Sequence, residues 1–149
     1  MAATSKVKSN RAPATRSQQV AADVAALLRA RNPLLWVVTR EEGRVEGCLV
    51  EAAASASYVP YTWDAAQGAR TITGEEARVG SNDAGDMFAA IAARAESGAE
   101  RAVWILRDLA PWLSGLPGAV PLRMLRNLTR TLPGVPRERA SDRGRKLDI

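Results

Sequence analysis

The chain of 149 residues predicts an α/β domain of three layers around a mostly parallel sheet of about three to four strands. Three observations predict it. Short apolar runs alternate with segments of helical period. The runs Leu34–Val38 and Ala102–Leu106 are continuous rather than alternating, as in strands covered on both faces. A tight turn then leads from the first run straight into a helix, the first half of a βαβ unit.

Taken in order, residues 1–16 are polar, small and interrupted by Pro13, too poor in apolar surface to offset the entropy of ordering, and read as a disordered basic arm. From Ser17, Val20, Val24, Leu27 and Leu28 recur at helical spacing until Asn32-Pro33, where Pro33 disfavours helical geometry before it. Leu34–Val38 is the first expected strand. Thr39-Arg40-Glu41-Glu42 has capping-box spacing and opens a helix with Val45, Leu49, Ala52, Ala53 and Ala56 on one face. Tyr58–Trp63 is the second strand, placed at a sheet edge because Pro60 has no amide to donate. Asp64–Asp86 reads as a long connection with a short extended piece near Arg70–Ile72. Asn82 or Asp83 caps a helix that buries Met87, Phe88, Ile91, Ala92 and Ala95 and ends at Gly98. Ala102–Leu106 is the third strand. After a turn at Leu116–Val120, Pro121 suits the first position of a last helix reaching about Leu132. The domain is thus expected over 17–133, with 134–149 a basic tail.

Composition removes much chemistry. With 46% apolar and 25% charged residues the chain is that of a globular protein. There is no histidine, hence no imidazole base and no His-based metal site, and the one cysteine, Cys48, excludes an internal disulfide and reads as a small buried hydrophobe. No apolar run approaches the roughly 18 to 20 residues that span a bilayer, and the first residues lack the apolar stretch of a secretory signal. A cytoplasmic protein without membrane contact is expected. The net charge of +5 is uneven: residues 1–22 carry four bases and no acid, and 121–149 carry eight bases against three acids. Such ends are either solvated or touch nucleic acid or an acidic partner.

A nucleotide-binding domain of this class would carry its phosphate loop after the first strand. That position holds Thr39, Arg40, Glu41, Glu42, Gly43 and Arg44, with no G-x-x-x-x-G-K-[ST], and lysine occurs only at 6, 8 and 146. Two carboxylates stand where phosphate would sit, and like charges at about 4 Å repel by roughly 4 kcal/mol at an effective dielectric of 20. At the tip of the third strand, Asp108 has the position of a magnesium-holding acid but follows Arg107 and precedes no glutamate. It reads as a cap or half of a surface ion pair, or else as a metal ligand, while Arg107, at the sheet's carboxyl edge, can serve a contact by reaching a neighbour's carboxylate or phosphate with both arms. Trp63 and Asp64 end the second strand, at the sheet edge that carries functional groups in open α/β sheets. Arg123, Arg126 and Arg130 form one stripe on the last helix, facing either water or a polyanion.

Four segments together carry a family resemblance: Leu27–Leu35; Thr39–Glu42 with Arg44 and Glu46; Tyr61–Asp64 with Gly68; and Leu106–Leu109. In order and spacing they resemble the N-terminal domain of an AAA-type ATPase family encoded in chloroplast genomes, cyanobacteria, other bacteria and some phages. The resemblance covers about 24–132. It implies a P-loop-like domain that has lost its phosphate loop and precedes an intact ATPase module; here the pattern breaks off after Leu132, as in a truncated, frameshifted or split gene. It implies a non-hydrolysing chain acting through protein interaction or assembly, with an ATPase module or a second copy as partner. No cofactor is expected, ATP and magnesium entering only if another chain completes the site. The alternative is a small nucleic-acid-binding protein using the basic ends and the arginine stripe. A third reading, an enzyme using Asp64 and Asp108, lacks a histidine, a core lysine and a recognisable nucleophile.

Overall fold

The computed structural model describes residues 14–132, so most of the expected basic arm and the tail at 134–149 lie outside the described residues. Helix α1 (Arg16–Arg29) starts within the segment read as the arm. The capping box of Thr15 and Gln18 sets this start, the Gln18 amide donating to Thr15 Oγ1 at 3.3 Å and the Thr15 amide to Gln18 Oε1 at 2.9 Å. Its buried face is Ala21, Ala25 and Leu28, whereas Val20 and Leu27, expected inside, are exposed. Arg31 takes the left-handed conformation at φ 59° and lets the Asn32 amide close back on Leu27 O at 3.0 Å.

Leu34–Val38 does not form the expected strand: the segment from Leu34 to Thr39 has no regular structure among the described residues. Leu35 is half-buried, but Leu34, Trp36, Val37 and Val38 are exposed, Val38 to 87%. The physical reason is pairing. A strand needs a neighbouring edge, and this run lies in no ladder of the sheet. The capping box expected after it is also absent: Thr39 Oγ1 accepts from the Glu41 amide at 2.9 Å, two residues on instead of three. Helix α2 (Glu42–Ser55) therefore starts later, after Glu41, with no side-chain cap.

Strand β1 (Val59–Asp64) is central, not at the edge, in a three-stranded sheet of order β2-β1-β3, with β2 at Gly68–Thr71 and β3 at Ala102–Leu106. Pro60 is tolerated there because ladder positions alternate. Val59 donates towards β3, so Pro60 faces the β2 side, and the β2 ladder begins only at Tyr61 opposite Thr71. The sheet is mixed: β1 runs parallel to β3, with Tyr61 opposite Trp104, and antiparallel to β2, with Asp64 opposite Gly68. The β1–β2 turn is a three-residue hairpin inside the stretch read as a long connection. Gly68, at φ 71°, takes the left-handed position, and a Cβ there would lie 2.7 Å from Asn82 Oδ1.

Helix α3 (Ala84–Ser97) is capped by Asp83, whose carboxylate accepts from the Asp86 amide at 3.1 Å, and ends at left-handed Gly98, as the sequence predicts. After β3 a short 3₁₀ turn (Ala110–Leu113) leads to α4 (Ala119–Thr131), which starts two residues before the expected Pro121. Pro121 still lies in the first turn, where helix amides have no partner to lose.

Two apolar clusters lie on opposite faces of the sheet. On one side Trp63, Met87, Phe88, Ile91, Leu125 and Leu128 pack together with Trp104 and Leu106. On the other, Ala21, Ala25, Leu28, Ala52, Ala53 and Ala56 of α1 and α2 pack with Val103, Cys48 and Leu35. The result is three layers, helices on both faces of a small sheet, with the carboxyl ends of the parallel strands β1 and β3 at one edge.

Candidate functional site

At that edge β3 ends in Arg107 and β1 in Asp64, and the start of α2 brings up Glu42 and Glu46. Arg107 grips Glu46 with two parallel bonds, Nε to Oε2 at 2.9 Å and Nη2 to Oε1 at 2.6 Å. Its remaining arm donates to Asp64 Oδ2 at 3.1 Å, and Glu42 stands 3.8 Å from Nε. The bidentate grip foreseen for Arg107 is thus taken within the chain, on a carboxylate 61 positions away in sequence. The Arg107 side chain is only 29% exposed, and its pKa is raised, first by the bonds to Glu46, then by the field of Glu46 and by the bond to and field of Asp64, against the opposing cost of burial.

Asp64 does two things. Its Oδ1 accepts from the Ala66 and Gln67 amides at 2.9 and 2.8 Å, which folds the hairpin, while Oδ2 meets Arg107. The Gln67 amide bond is the first cause of a carboxyl pKa held below the ordinary 3.8; the Ala66 amide and Arg107 add to it against the opposing effect of burial. Trp63, beside it in sequence, points the other way. It is 1% exposed, donates from Nε1 to Ser81 O at 2.8 Å and meets Trp112 edge-on at 6.3 Å. It is core, outside the site.

Asp108 is exposed at φ 50°, in the left-handed region, and among the described residues makes no ion pair. That conformation turns the chain so that Leu109 enters the core while Arg107 stays at the edge. Glu42, Gly43, Asp64–Gln67, Arg107 and Asp108 line an open cleft of about 550 Å³. Its charge is three carboxylates against one guanidinium that is already engaged. The other residues of the phosphate-loop position turn elsewhere. Arg44 pairs with Glu41 at 3.0 Å on the surface and reaches Ser17 Oγ at 2.9 Å, so it ties α2 to α1. Arg40 is exposed. Arg123, Arg126 and Arg130 are exposed on α4, whose Leu125 and Leu128 face inward, and none of the three lines the cleft.

A second polar cluster has no signal in the sequence. Tyr61 stacks on Trp104 at 4.5 Å, donates to Glu100 Oε1 at 2.8 Å and accepts from Arg94 at 3.0 Å, while Arg94 also bonds Glu100. Burial and then the Glu100 bond raise the Tyr61 pKa. Burial pushes Glu100 up, but the bonds from Tyr61 and Arg94 outweigh it and hold its carboxyl below the ordinary value. These groups satisfy one another, and nothing in them is left to react.

No lysine or histidine occurs among the described residues, and no group of three His, Cys, Asp or Glu among them could hold a metal ion. None of the helices there is long and apolar enough to cross a membrane. Among known proteins, the family model described as the SpoVK-like AAA ATPase N-terminal domain matches residues 20–141. Searches of curated proteins and of solved structures gave no significant match. The match takes in every element from within α1 to α4, and the chain belongs to the SpoVK-like AAA ATPase N-terminal domain family.

Proposed function

We propose that the chain is a P-loop-like domain with a degenerate site, non-hydrolysing and without a cofactor of its own, that works in the cytoplasm by docking on an AAA ATPase module or assembling with it. One observation carries this reading: Arg107, fixed on Glu46 and Asp64, fills the edge where metal and phosphate would meet. A polyphosphate would have to displace a bidentate internal pair and lie among carboxylates, with no lysine among the described residues to receive it. Family membership supports the ATPase module as partner.

Isothermal titration of the full chain with ATP and magnesium tests the nucleotide part. No heat of binding is expected, and micromolar binding lost in Asp108→Ala would overturn it. Docking is tested by adding the chain to an AAA ATPase module of this family and following ATPase rate and sedimentation. A joint species or an altered rate is expected.

The exposed stripe Arg123, Arg126 and Arg130 favours a second reading, nucleic-acid binding by contacts to phosphate. It requires affinity that falls steeply with salt, and absence of binding at about 50 mM salt excludes it.

A further inference from the structure

We infer that the outer face of α4, from Leu116 to Arg130, docks an amphipathic helix of a partner protein that runs antiparallel to α4, with acids over Arg123, Arg126 and Arg130 and apolar residues over Leu116 and Val120. The inference names a surface for the docking role proposed above and rests on that role. It sets the same arginines against the nucleic-acid reading.

The helix period defines the face. Leu125 and Leu128 are buried and fix the inner side of α4. At about 100° per residue, Arg123, Arg126 and Arg130 fall on the opposite side, within about 60° of one another. All three are exposed. Val120, three positions before Arg123, is 67% exposed, and Leu116, whose carbonyl receives the Ala119 amide at 3.1 Å just before the helix, is 92% exposed. The face is thus apolar at its amino end and basic beyond it, over about 15 Å from Val120 to Arg130.

These arginines have no counter-charge nearby in sequence, since no acid occurs from Leu109 to Leu132. Among the described residues none of the three guanidinium groups is in an ion pair, whereas Arg44, Arg94 and Arg107 each hold a glutamate. Like charges three and four positions apart on a helix repel. An opposing row of carboxylates turns that repulsion into charge-assisted pairs. The ends of the chain bring no net negative charge to it: residues 1–13 carry three bases and no acid, and residues 133–149 five bases against three acids.

The composition of the face selects a protein helix over a nucleic acid. Arg126 and Arg130 lie about one turn apart and Arg123 and Arg130 about two, the spacing of acids at i, i+4 and i+7 on a facing helix. Leu116 and Val120 gain nothing from phosphate but can bury apolar area against a partner's leucines. No aromatic residue occurs from Leu116 to Arg130 to stack a base. Direction follows from the helix dipole. Acids are most favourable in the first turn of a helix, and α4 carries its arginines towards its own carboxyl end, so the partner's amino end meets Arg130 and its carboxyl end meets Val120.

The test uses the full-length chain and the capped, fluorescein-labelled peptide Glu-Ala-Ala-Glu-Glu-Ala-Ala-Glu-Lys-Ala-Leu-Leu-Lys-Ala-Leu, whose acids and leucines follow this order. Fluorescence anisotropy at about 50 mM salt, where charge pairs are little screened, is expected to show binding. The triple variant Arg123→Glu, Arg126→Glu, Arg130→Glu, with its fold checked by circular dichroism, is expected to bind about tenfold or more weakly. A peptide with lysine in place of each glutamate is expected to bind that variant instead. Leu116→Ser with Val120→Ser is expected to weaken binding about threefold. Absence of peptide binding, or equal binding by the triple variant, overturns the inference. So does tighter binding of an oligonucleotide, or of vesicles of phosphatidylserine and phosphatidylcholine, than of the peptide. Self-association of the chain that the triple variant abolishes places a second copy on the face and likewise overturns it. Equal docking of the ATPase module on wild type and triple variant leaves the docking role standing and overturns this surface, whereas docking on neither overturns the role itself.

Discussion

At the level of single residues, the carboxyl edge depends on the guanidinium of Arg107, because removing it leaves Glu46 and Asp64 facing each other without a counter-charge in a partly dry site. Loss of one partner from such a pair costs more than the pair contributes, since the remaining charge keeps its desolvation. With Arg107 partly exposed, Arg107→Ala is expected to lower unfolding free energy by about 2 kcal/mol. Arg107→Lys should recover less than half, because an ammonium cannot span both oxygens of Glu46 while also meeting Asp64. Urea midpoints of the two variants check this. A wild-type midpoint in both would mean that the pairing is ornamental. Asp64 adds a pH dependence of definite sign. Its folded pKa lies below the ordinary 3.8, so its contribution is fully present above that value and is lost as pH falls through the folded pKa. Stability of the wild type should drop below about pH 4, and Asp64→Asn, which keeps an oxygen for the Gln67 and Ala66 amides, should flatten that part of the curve.

At the level of elements, what could be read in advance was what is local. Asp83 and Gly98 bound α3, and the apolar run Ala102–Leu106 is β3, because cap residues and an uninterrupted run act within a few positions. Pairing is not local. Leu34–Val38 has the composition of a strand as good as β3, yet among the described residues it enters no ladder of the sheet. Pro60 pointed to an edge, yet the short reach of β2 leaves room for it in the central strand. The hairpin had two signals in the polar stretch, the short extended piece near Arg70–Ile72, which overlaps β2, and Gln67-Gly68 after Asp64, which reads as part of the connection. Of the site, the sequence pointed Arg107 outward to a neighbour, whereas its two-armed grip is spent inside the chain on Glu46, since nothing in a sequence brings positions 46 and 107 together before the layers form. The exposure of Leu34–Val38 gives an element-scale expectation. Val38→Thr, which would cost about 1 kcal/mol or more in a doubly covered strand, should change the unfolding free energy of the isolated chain by less than about 0.5 kcal/mol. A larger loss in thermal or urea unfolding would show that the run is packed after all.

At the level of the whole molecule, the two faces of the sheet are unequally built. The α3–α4 side buries Trp63, Met87, Phe88, Ile91, Leu125 and Leu128, whereas five of the six buried residues on the α1–α2 side are alanines. Burial stabilises in proportion to the apolar area removed from water, about 25 cal/mol for each Å², and an alanine methyl removes far less than an indole or a phenyl ring. Of Leu34–Val38 only Leu35 packs on this alanine layer, and the other four side chains are exposed and add nothing to it. The two layers should therefore open at different free energies, α1 and α2 first and the α3–β1–α4 core last. Native-state hydrogen exchange of the full chain should show mid-helix amides of α2 exchanging about tenfold or more faster than those of β1 and α3, a gap of about 1.4 kcal/mol. Exchange in α2 as slow as in α3 would mean that close approach of alanine helices stabilises as much as aromatic burial.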